Sequence, residues 1–346
     1  MVADFNGDGK QDIAVADNAG VEILMGNGDG TFQAVQTFAV GTGGVLTLAV
    51  GDFNGFGDPD LVVSSLTSGN VLMLDNGTQM FPGIVSSLDA PGASWLAVGD
   101  FNGDGITDIA LTPTKGNGVF VLLGSGNLVF PQNSMSGYPT PGSSSSAVAI
   151  GDFNGDGIPD LAVANPSNNF GSPKVSVLLG NGDGTFQPAV NYAAGNNPYS
   201  IVFGDFDGDG YADLAVTSDT DLANPPGQNS LNVLLGNGDG TFRPPVSYPV
   251  TTGAQTSVAM GNFYGDGRVD LAIANVDGNT VSIYLGVSAC DIDGDGATNV
   301  ADVQLIVNEA LEAIPAVDDL NGDGSVTVAD VQIVIDAALG LGCAAK

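Results

Sequence analysis

Short apolar runs alternate with polar, glycine-rich segments along most of the chain, and these runs have the length and composition of β-strands. In one typical stretch, a run at 147–151 precedes a polar loop and a second run at 160–165 follows it. A third run, 175–180, comes after a polar turn, and a fourth, irregular one begins near Phe186. Runs rich in β-branched residues and separated by Gly, Asn and Asp predict antiparallel strands. We therefore expect four short strands in each such unit.

The strand pattern recurs together with the motif Asp-Phe-Asn-Gly-Asp-Gly-x-x-Asp. Copies of the motif begin at Asp4, Asp52, Asp100, Asp152 and Asp205, and a weakened copy begins at Asn262. The intervals of 48 to 57 residues are typical of sheets repeated around an axis, whereas a linear β-solenoid usually has a shorter period. The predicted fold class is mainly β, a β-propeller of about six four-stranded blades over 1–287, followed by a small α-helical domain over 288–346.

The pattern predicts an incomplete last blade. Fourth strands are expected near Phe32, Phe81, Phe130, Phe186 and Phe242, but none follows 285–286, and the first repeat starts with only a stub of its inner strand. Missing upstream residues, a strand donated by a neighbouring subunit, or a blade that stays three-stranded would each explain this. Because Met1 runs directly into the first loop, we expect a mature fragment that begins inside a repeat.

Two kinds of glycine-rich segment carry acidic side chains. The nine-residue motif places them at alternate positions of a tight turn, which gathers hard oxygen ligands of the kind that suit Ca²⁺. The segments 26–32, 180–186 and 236–242 read Gly-Asn-Gly-Asp-Gly-Thr-Phe. Because Asn-Gly and Asp-Gly tolerate positive φ and are common in hairpins, a hairpin turn is favoured over a metal site in these segments.

The nine-residue motif, with Leu-Ala-Val-Ala-Asn after it at 161–165, resembles the FG-GAP/VCBS repeat family, which includes integrin α-chain propellers and many bacterial secreted proteins. The resemblance covers residue 1 to about 287. It implies that the motif joins the first two strands of a blade and binds Ca²⁺. The implied ligands are the side chains at positions one, three, five and nine and the carbonyl oxygen at position seven.

Four loops match this family pattern in full. Their implied ligands are Asp4, Asn6, Asp8, Lys10 and Asp12; Asp100, Asn102, Asp104, Ile106 and Asp108; Asp152, Asn154, Asp156, Ile158 and Asp160; and Asp205, Asp207, Asp209, Tyr211 and Asp213. The last of these loops carries the most charge and is expected to bind most tightly.

Two loops depart from the family pattern. In the second, Phe56 replaces the acid at position five, which leaves Asp52, Asn54, Asp58 and Asp60. The sixth has Asn262 and Tyr264 where the family has acids and keeps only Asp266 and Asp270. Both loops are expected to bind weakly or to be turns held without metal.

The chain changes character after Cys290. Two twelve-residue segments, 291–302 and 319–330, carry glycine at position six and oxygen ligands at EF-hand positions, with Asp instead of Glu at position twelve, and a helical pattern follows each. Their candidate ligands are Asp291, Asp293, Asp295, Ala297, Asn299, Asp302, Asp319, Asn321, Asp323, Ser325, Thr327 and Asp330.

The tandem of loop–helix units resembles a type I dockerin. The resemblance implies a small Ca²⁺-binding fold and a cohesin-like protein partner. Cys290 and Cys343 flank the module, which suggests either a disulfide joining its ends or two buried thiols. Together with the propeller, the chain is expected to hold about six strong Ca²⁺ sites, and up to eight.

Charge and composition narrow the functional classes. The chain has 39 acidic and 6 basic residues, a formal net charge of −33 and no histidine. A nucleic-acid surface is excluded for want of basic residues, and no apolar run approaches the roughly 20 residues that span a bilayer. Because weak Ca²⁺ sites stay empty at resting cytosolic Ca²⁺ levels, we expect an extracellular or cell-surface location.

Two functions remain open from the sequence. The first is a secreted, non-catalytic Ca²⁺-binding interaction or scaffold protein that could assemble into homo-oligomers or fibres through its incomplete blade and dockerin-like tail. The alternative is a glycan-binding or polysaccharide-degrading propeller carried on a cohesin-binding dockerin. An enzyme is not expected, because the acids are mostly committed to metal loops and the cations are few and dispersed.

Overall fold

The computed structural model describes most of the repeat region and part of the C-terminal segment. It covers residues 1–284 apart from 18–19, 41–44, 66–70, 75–83, 89–91, 132–133, 143, 167–173, 219–229, 251–254, 264–267 and 276–278, and then residues 303–305, 307, 320 and 325–338.

Six antiparallel sheets follow one another along the chain, and in each sheet consecutive strands are neighbours. The first three blades contain β1 (Val2–Ala3), β2 (Asp12–Ala16), β3 (Val21–Leu24) and β4 (Gln36–Phe38); β5 (Val45–Gly51), β6 (Asp60–Ser65), β7 (Val71–Leu74) and β8 (Ile84–Leu88); and β9 (Ala93–Gly99), β10 (Asp108–Pro113), β11 (Val119–Leu122) and β12 (Met135–Tyr138). The next three contain β13 (Ala147–Gly151), β14 (Asp160–Asn165), β15 (Lys174–Leu178) and β16 (Val190–Ala193); β17 (Pro198–Gly204), β18 (Asp213–Ser218), β19 (Ser230–Leu234) and β20 (Val246–Pro249); and β21 (Gln255–Gly261), β22 (Asp270–Asn275) and β23 (Thr280–Tyr284).

The first strands of successive blades from β5 to β21 pack against one another, so the sheets are arranged about a common axis. This confirms the six-bladed propeller predicted from the repeat period. The two-residue β1 is the predicted stub, and the sixth sheet has three strands among the described residues.

The fourth strands begin a few residues later than the sequence pattern indicated. Phe186 and Phe242 form only isolated bridges, to Gly180 and Gly236, before β16 and β20 begin. Prolines stand between each bridge and its strand, at 188 in the fourth blade and at 244–245 in the fifth. Since proline has no N–H to donate, it delays the ladder of hydrogen bonds.

The core lies between the blades rather than within any one of them. Among the described residues there are five buried apolar clusters, and each joins two consecutive blades. In the cluster between the fourth and fifth blades, Val175 and Val177 pack with Leu214 and Val216. Each sheet is therefore apolar on both faces, as is typical of strands covered on both sides.

Phenylalanines reinforce these junctions. Phe153, at position two of the fourth loop, is 1% exposed, and its ring lies 6.0 Å from Phe203 and 5.7 Å from Phe242 in the fifth blade. Both contacts are edge-to-face, the geometry favoured by aromatic pairs.

We predict that Phe153→Ala lowers the free energy of unfolding by roughly 3–5 kcal/mol, because it leaves a cavity between two blades. The matched control is Phe56→Ala, since Phe56 also lies in a loop of the nine-residue motif but is 75% exposed. The control should change stability by less than roughly 0.5 kcal/mol. Equilibrium urea unfolding measures both variants, and equal effects would contradict the packing role.

Candidate metal centres

The nine-residue motif forms a loop between the first two strands of each blade. In the fourth loop, the carboxylate of Asp152 at position one accepts three backbone N–H bonds, from Gly155 (2.8 Å), Asp156 (3.2 Å) and Gly157 (2.8 Å). The backbone is thus wrapped around this carboxylate. The corresponding side chains accept equivalent bonds in the other described loops, namely Asp4, Asp52, Asp100 and Asp205.

The side chains at positions three and five continue the turn. The Oδ1 of Asn154 accepts the N–H of Asp156 at 3.0 Å, and the Oδ1 of Asp156 accepts the N–H of Ile158 at 2.8 Å. The amide of Asn154 also donates to the other oxygen of Asp156 at 3.0 Å. In this loop one amide therefore partly satisfies the position-five carboxylate.

Glycine at positions four and six is required by the backbone. Gly155 and Gly157 have φ of +75° and +81°, and an added Cβ would meet nothing within 4 Å at either position. The requirement is therefore conformational rather than steric, since residues with a Cβ rarely adopt this region. It explains the fixed Asn-Gly-Asp-Gly spacing of the motif.

Position nine holds a fully buried aspartate. Asp160 is 0% exposed, and its two oxygens accept the N–H of Phe153 at 2.8 Å and the N–H of Gly180 at 2.7 Å. Gly180 lies at the end of the third strand, where an added Cβ would collide with the backbone carbonyl of Pro159. The same pair of bonds is made by Asp12, Asp108 and Asp213.

These buried aspartates are electrostatically unusual. Burial raises the pKa of Asp108 and of Asp160 to about 6, although backbone N–H bonds oppose the shift. Burial also raises the pKa of Asp213 to about 7, and the nearby Asp207 and Asp209 charges add to the effect. In these three loops, burial therefore disfavours the charged form of the position-nine carboxylate, and a bound cation would offset this cost.

The fifth loop has the strongest cluster of acids. Single carboxylate oxygens of Asp205, Asp207 and Asp209 lie within 4.8 Å of one another. The Oδ2 of Asp209 is buried and has no hydrogen-bond partner. Burial, and then the neighbouring Asp209 charge, raise the pKa of Asp207. An orphaned carboxylate oxygen beside two further carboxylates fits a hard divalent cation with oxygen ligands.

The first and second loops show two variations. In the first, the Lys10 ammonium lies 3.2 Å from Asp8, so a cation entering this loop competes with an internal ion pair. In the second, Phe56 donates its N–H to Asp52 at 3.2 Å and to Asn54 at 2.8 Å. The turn therefore forms without the position-five acid, as the metal-free interpretation of this loop requires; Asp58 is exposed there and Asp60 is buried.

The sixth loop is described only at its ends. The N–H of Phe263 donates to Asp270 at 2.6 Å, which repeats the position-nine bond of the other loops. Tyr264 and Asp266 lie outside the described residues.

In the C-terminal segment, the helix α1 (Val328–Ala338) begins within the second predicted EF-hand-like loop. Asp330, at position twelve, is 0% exposed and accepts the N–H of Leu320 at 2.9 Å and of Thr327 at 2.7 Å. Ser325 is exposed. The remaining candidate ligands of both loops and the two cysteines lie outside the described residues, namely Asp291, Asp293, Asp295, Ala297, Asn299, Asp302, Asp319, Asn321, Asp323, Cys290 and Cys343.

The Gly-Asn-Gly-Asp-Gly segments are hairpin turns, as predicted. In the turn of the fourth blade, Asp183 accepts the N–H of Thr185 at 2.9 Å and its hydroxyl at 2.6 Å. Their contact with the loop of the preceding blade was not foreseen. The N–H of Gly184 donates to the carbonyl of Phe101 at 3.0 Å, and the N–H of Gly240 donates likewise to that of Phe153 at 2.9 Å. The recurrence of phenylalanine in both motifs is the sequence signal that could have revealed this link.

Among the described tyrosines, some pack between blades and others are exposed. Tyr138 and Tyr192 make edge-to-face contacts with Phe186 and Phe242 between blades. The exposed tyrosines are Tyr199 (43%) on β17, Tyr248 (43%) on β20 and Tyr211 (46%) in the fifth loop. No helix among the described residues is long and apolar enough to cross a bilayer.

Comparison with known proteins supports the repeat assignment. A family model described as FG-GAP-like repeat matches residues 4–63, 52–111, 100–163 and 152–216, which together span more than half of the chain. The curated proteins give no significant match.

Solved structures with a similar fold are distant in sequence. An Agrocybe aegerita lectin that recognises non-reducing terminal N-acetylglucosamine is 18% identical with a TM-score of 0.53, over 87% of this chain and 81% of the lectin. BBS1N in complex with ARL6DN is 12% identical with a TM-score of 0.54, over 83% and 78%. The V. cholerae biofilm matrix protein Bap1 is 16% identical with a TM-score of 0.42, over 85% and 58%. At these identities the first two show the propeller fold alone.

The raised pKa values predict how stability depends on pH without metal. Because Asp108, Asp160 and Asp213 bind protons more tightly when folded, their contribution is full below the ordinary aspartate pKa and is lost as pH rises through about 6 to 7. Metal-free protein should therefore melt at a higher temperature at pH 5 than at pH 8.

Thermal unfolding followed by circular dichroism measures this, with Asp213→Asn as the comparison. The variant shares the general charge repulsion of the chain but lacks one titrating group, so its pH dependence should be smaller. A metal-free melting temperature that rises from pH 5 to pH 8 would contradict the assignment.

Proposed function

Because the chain belongs to the family of FG-GAP-like repeat proteins, we propose that it is a non-catalytic, extracellular protein that binds Ca²⁺ in its propeller loops and recognises a macromolecular partner. The observation that carries this proposal is the fifth loop, where three carboxylates converge and one buried oxygen has no partner. Ca²⁺ prefers six to eight oxygen ligands of this kind.

The loop residues would hold the ion through their remaining lone pairs. Asp205, Asp207, Asp209 and Asp213 would contribute side-chain oxygens, and Tyr211 its carbonyl. When bound, Ca²⁺ supplies positive charge and cross-links positions of one turn. In the fully matching loops 1, 3 and 4 the chemistry would be the same, with an asparagine oxygen in place of one carboxylate.

The overall charge supports this role. A formal charge of −33 on 346 residues destabilises a compact chain through self-repulsion. Bound divalent cations would remove much of that repulsion at the places where the acids are concentrated. Extracellular Ca²⁺ is high enough to fill sites of modest affinity, and resting cytosolic Ca²⁺ is not, which favours an extracellular location.

The C-terminal segment would be a second Ca²⁺-binding element. We propose that it folds as a dockerin-like module on binding Ca²⁺, clasped by a Cys290–Cys343 disulfide, and docks a cohesin-like protein or another copy. The placement of Asp330 supports this, because its buried carboxylate links Leu320 to the start of α1. Small metal-binding modules commonly couple folding to metal binding.

A non-catalytic role accounts for the acids with raised pKa values. Asp108, Asp160 and Asp213 belong to separate loops, and each uses both oxygens to accept backbone N–H bonds. A glycosidase requires two carboxyl groups facing one substrate bond, with one of them free to donate its proton. These aspartates are structural or metal-binding groups in this account.

Glycan binding is the second candidate function. It is favoured by Tyr211, which is 46% exposed beside the acidic cluster and whose ring lies against Gly238 of the neighbouring hairpin turn. An exposed aromatic ring next to a Ca²⁺ loop can stack on a sugar while the ion binds hydroxyl groups. A glycan array probed with the intact protein and with Tyr211→Ala tests this. Binding of a glycan by the intact protein but not by the variant would support it.

We predict that Asp209→Asn weakens Ca²⁺ binding at the fifth loop by about tenfold or more, because the number of charged ligands sets affinity in such loops. Isothermal titration calorimetry of the metal-free protein measures this. The matched control is Asp239→Asn, which alters an exposed hairpin turn with the same Asp-Gly sequence. Equal affinity in wild type and both variants would refute calcium binding by this cluster.

The second loop offers a gain-of-function test. Phe56 is 75% exposed, and the turn around it already has the geometry of the other loops. Phe56→Asp should therefore add one Ca²⁺ to the bound total without loss of stability, as counted by equilibrium dialysis with ⁴⁵Ca. Phe56→Asn, which restores an oxygen without charge, should give a weaker site. An unchanged total in Phe56→Asp would mean that the turn alone does not make a site.

A further inference from the structure

Each blade has two apolar faces, defined here by what they cover in the middle of the array. The front face of a blade packs on the next blade, and in the fourth blade it includes Val175 and Val177 of β15. The back face packs on the preceding blade, and in the fourth blade it includes Leu161, Val163 and Leu178. Strand register makes the corresponding residues of the other blades easy to identify.

The front faces are buried in the first four blades, partly buried in the fifth and exposed in the last. The two β15 positions correspond to residues that are between 0% and 1% exposed in the first four blades, namely Val21, Ile23, Val71, Met73, Val119, Val121, Val175 and Val177. In the fifth blade Leu231 is 1% exposed and Val233 is half-buried. In the sixth blade the same two positions are Val281 and Ile283, which are 64% and 48% exposed.

The back faces show the converse pattern, since they are buried in blades two to six and exposed in the first. The positions of Leu161 and Val163 are at most 5% exposed in blades two to six, namely Leu61, Val63, Ile109, Leu111, Leu161, Val163, Leu214, Val216, Leu271 and Ile273. In the first blade, Val15 is 40% exposed and Val2, on the neighbouring strand β1, is 59% exposed. Ile13 and Leu24 of the same face are only half-buried.

Among the described residues, the array therefore ends in two apolar faces that no other blade covers, the front of the sixth blade and the back of the first, which we call the end faces. Each end face carries several neighbouring exposed apolar residues, Val281 with Ile283 and Val2 with Val15. A contiguous apolar patch, unlike a single exposed side chain, indicates a surface that binds another. The two end faces are of the kinds that pack together elsewhere in the chain, since a front face covers a back face at each of the five junctions between consecutive blades.

We propose that the end faces bind each other between copies, so that the sixth blade of one chain packs on the first blade of the next. This inference rests on the interaction role proposed above and names its partner, a second copy of this chain. The contact is head-to-tail, because two different surfaces meet, and such contacts generate rings or open filaments. The contact between two copies would have the same arrangement as the junctions between consecutive blades within one chain.

One side chain on the end faces opposes this contact. Glu22 of β3 is half-buried on the back face of the first blade, at the position that Ser176 holds in the fourth. Covering a carboxylate without a cation is costly. The contact between copies is therefore expected to be weaker than the internal junctions, and Glu22→Gln should strengthen it.

Sedimentation equilibrium with excess Ca²⁺, from about 1 to about 100 μM protein, spans the affinities of weak protein contacts. Wild type should gain mass with concentration. The double variant Val281→Lys, Ile283→Lys should remain a monomer, because two ammonium groups then stand on the front end face. The control carries Val190→Lys and Val246→Lys, which are 54% and 50% exposed on fourth strands away from both end faces, and it should assemble like wild type.

A mixing experiment tests the head-to-tail geometry. The variant Val15→Lys keeps an intact front end face, and the variant Val281→Lys, Ile283→Lys keeps an intact back end face. Each alone should be monomeric, whereas an equal mixture should form a one-to-one dimer that grows no further. A mixture that stays monomeric, or a front-face variant that still assembles, would overturn the proposal.

A wild-type chain that is monomeric across the whole concentration range would also overturn the proposal. This holds whether a foreign sheet or another segment of the same chain covers the end faces. Ca²⁺ titration of the same variants separates this result from the proposed function. The lysine variants lie outside the metal loops, so they should bind as much Ca²⁺ as wild type. Assembly that fails while Ca²⁺ binding persists leaves the calcium proposal standing.

Discussion

The buried aspartate at position nine is the constraint on which the rest of each blade depends. Its two oxygens accept one N–H from the start of the loop and one from the glycine that ends the third strand, as Asp160 does with Phe153 and Gly180. A single carboxylate therefore fixes three parts of the blade relative to one another. In Asp108, Asp160 and Asp213, burial also raises the pKa, so the charged carboxylate is disfavoured there and a nearby cation would stabilise it.

The loops are coupled to the packing between blades. The phenylalanine at position two of one loop accepts a backbone hydrogen bond from the hairpin turn of the next blade and packs its ring against the phenylalanine that ends that turn, as Phe101 does with Gly184 and Phe186. In this account an ion held by one loop stabilises the junction with the following blade. Metal binding and propeller stability are then coupled, because the apolar core lies at those junctions.

The repeat period and strand patterns predicted the architecture because each repeat carries its own turn chemistry. The bounds of β14, Asp160–Asn165, coincide with the predicted run. The sequence predicted Asp160 as a candidate metal ligand, but it could not show that this side chain is also a buried hydrogen-bond acceptor. Aspartate suits both roles, so the residue type does not distinguish them. Nor could the exposure of Val281, since the apolar pattern of the sixth blade is like that of the buried ones and only the arrangement of blades decides what is covered. The arrangement of the candidate metal ligands in the C-terminal segment stays a prediction.

The central claim is that these loops are metal sites and not only turns. Native mass spectrometry of the intact chain, desalted from a Ca²⁺-containing buffer, counts bound ions directly. The account predicts at least four Ca²⁺ on the propeller, one for each fully matching loop, and a loss of one when the fifth loop is disrupted. A chain that carries no Ca²⁺ under these conditions, yet keeps its folded charge-state distribution, would contradict it.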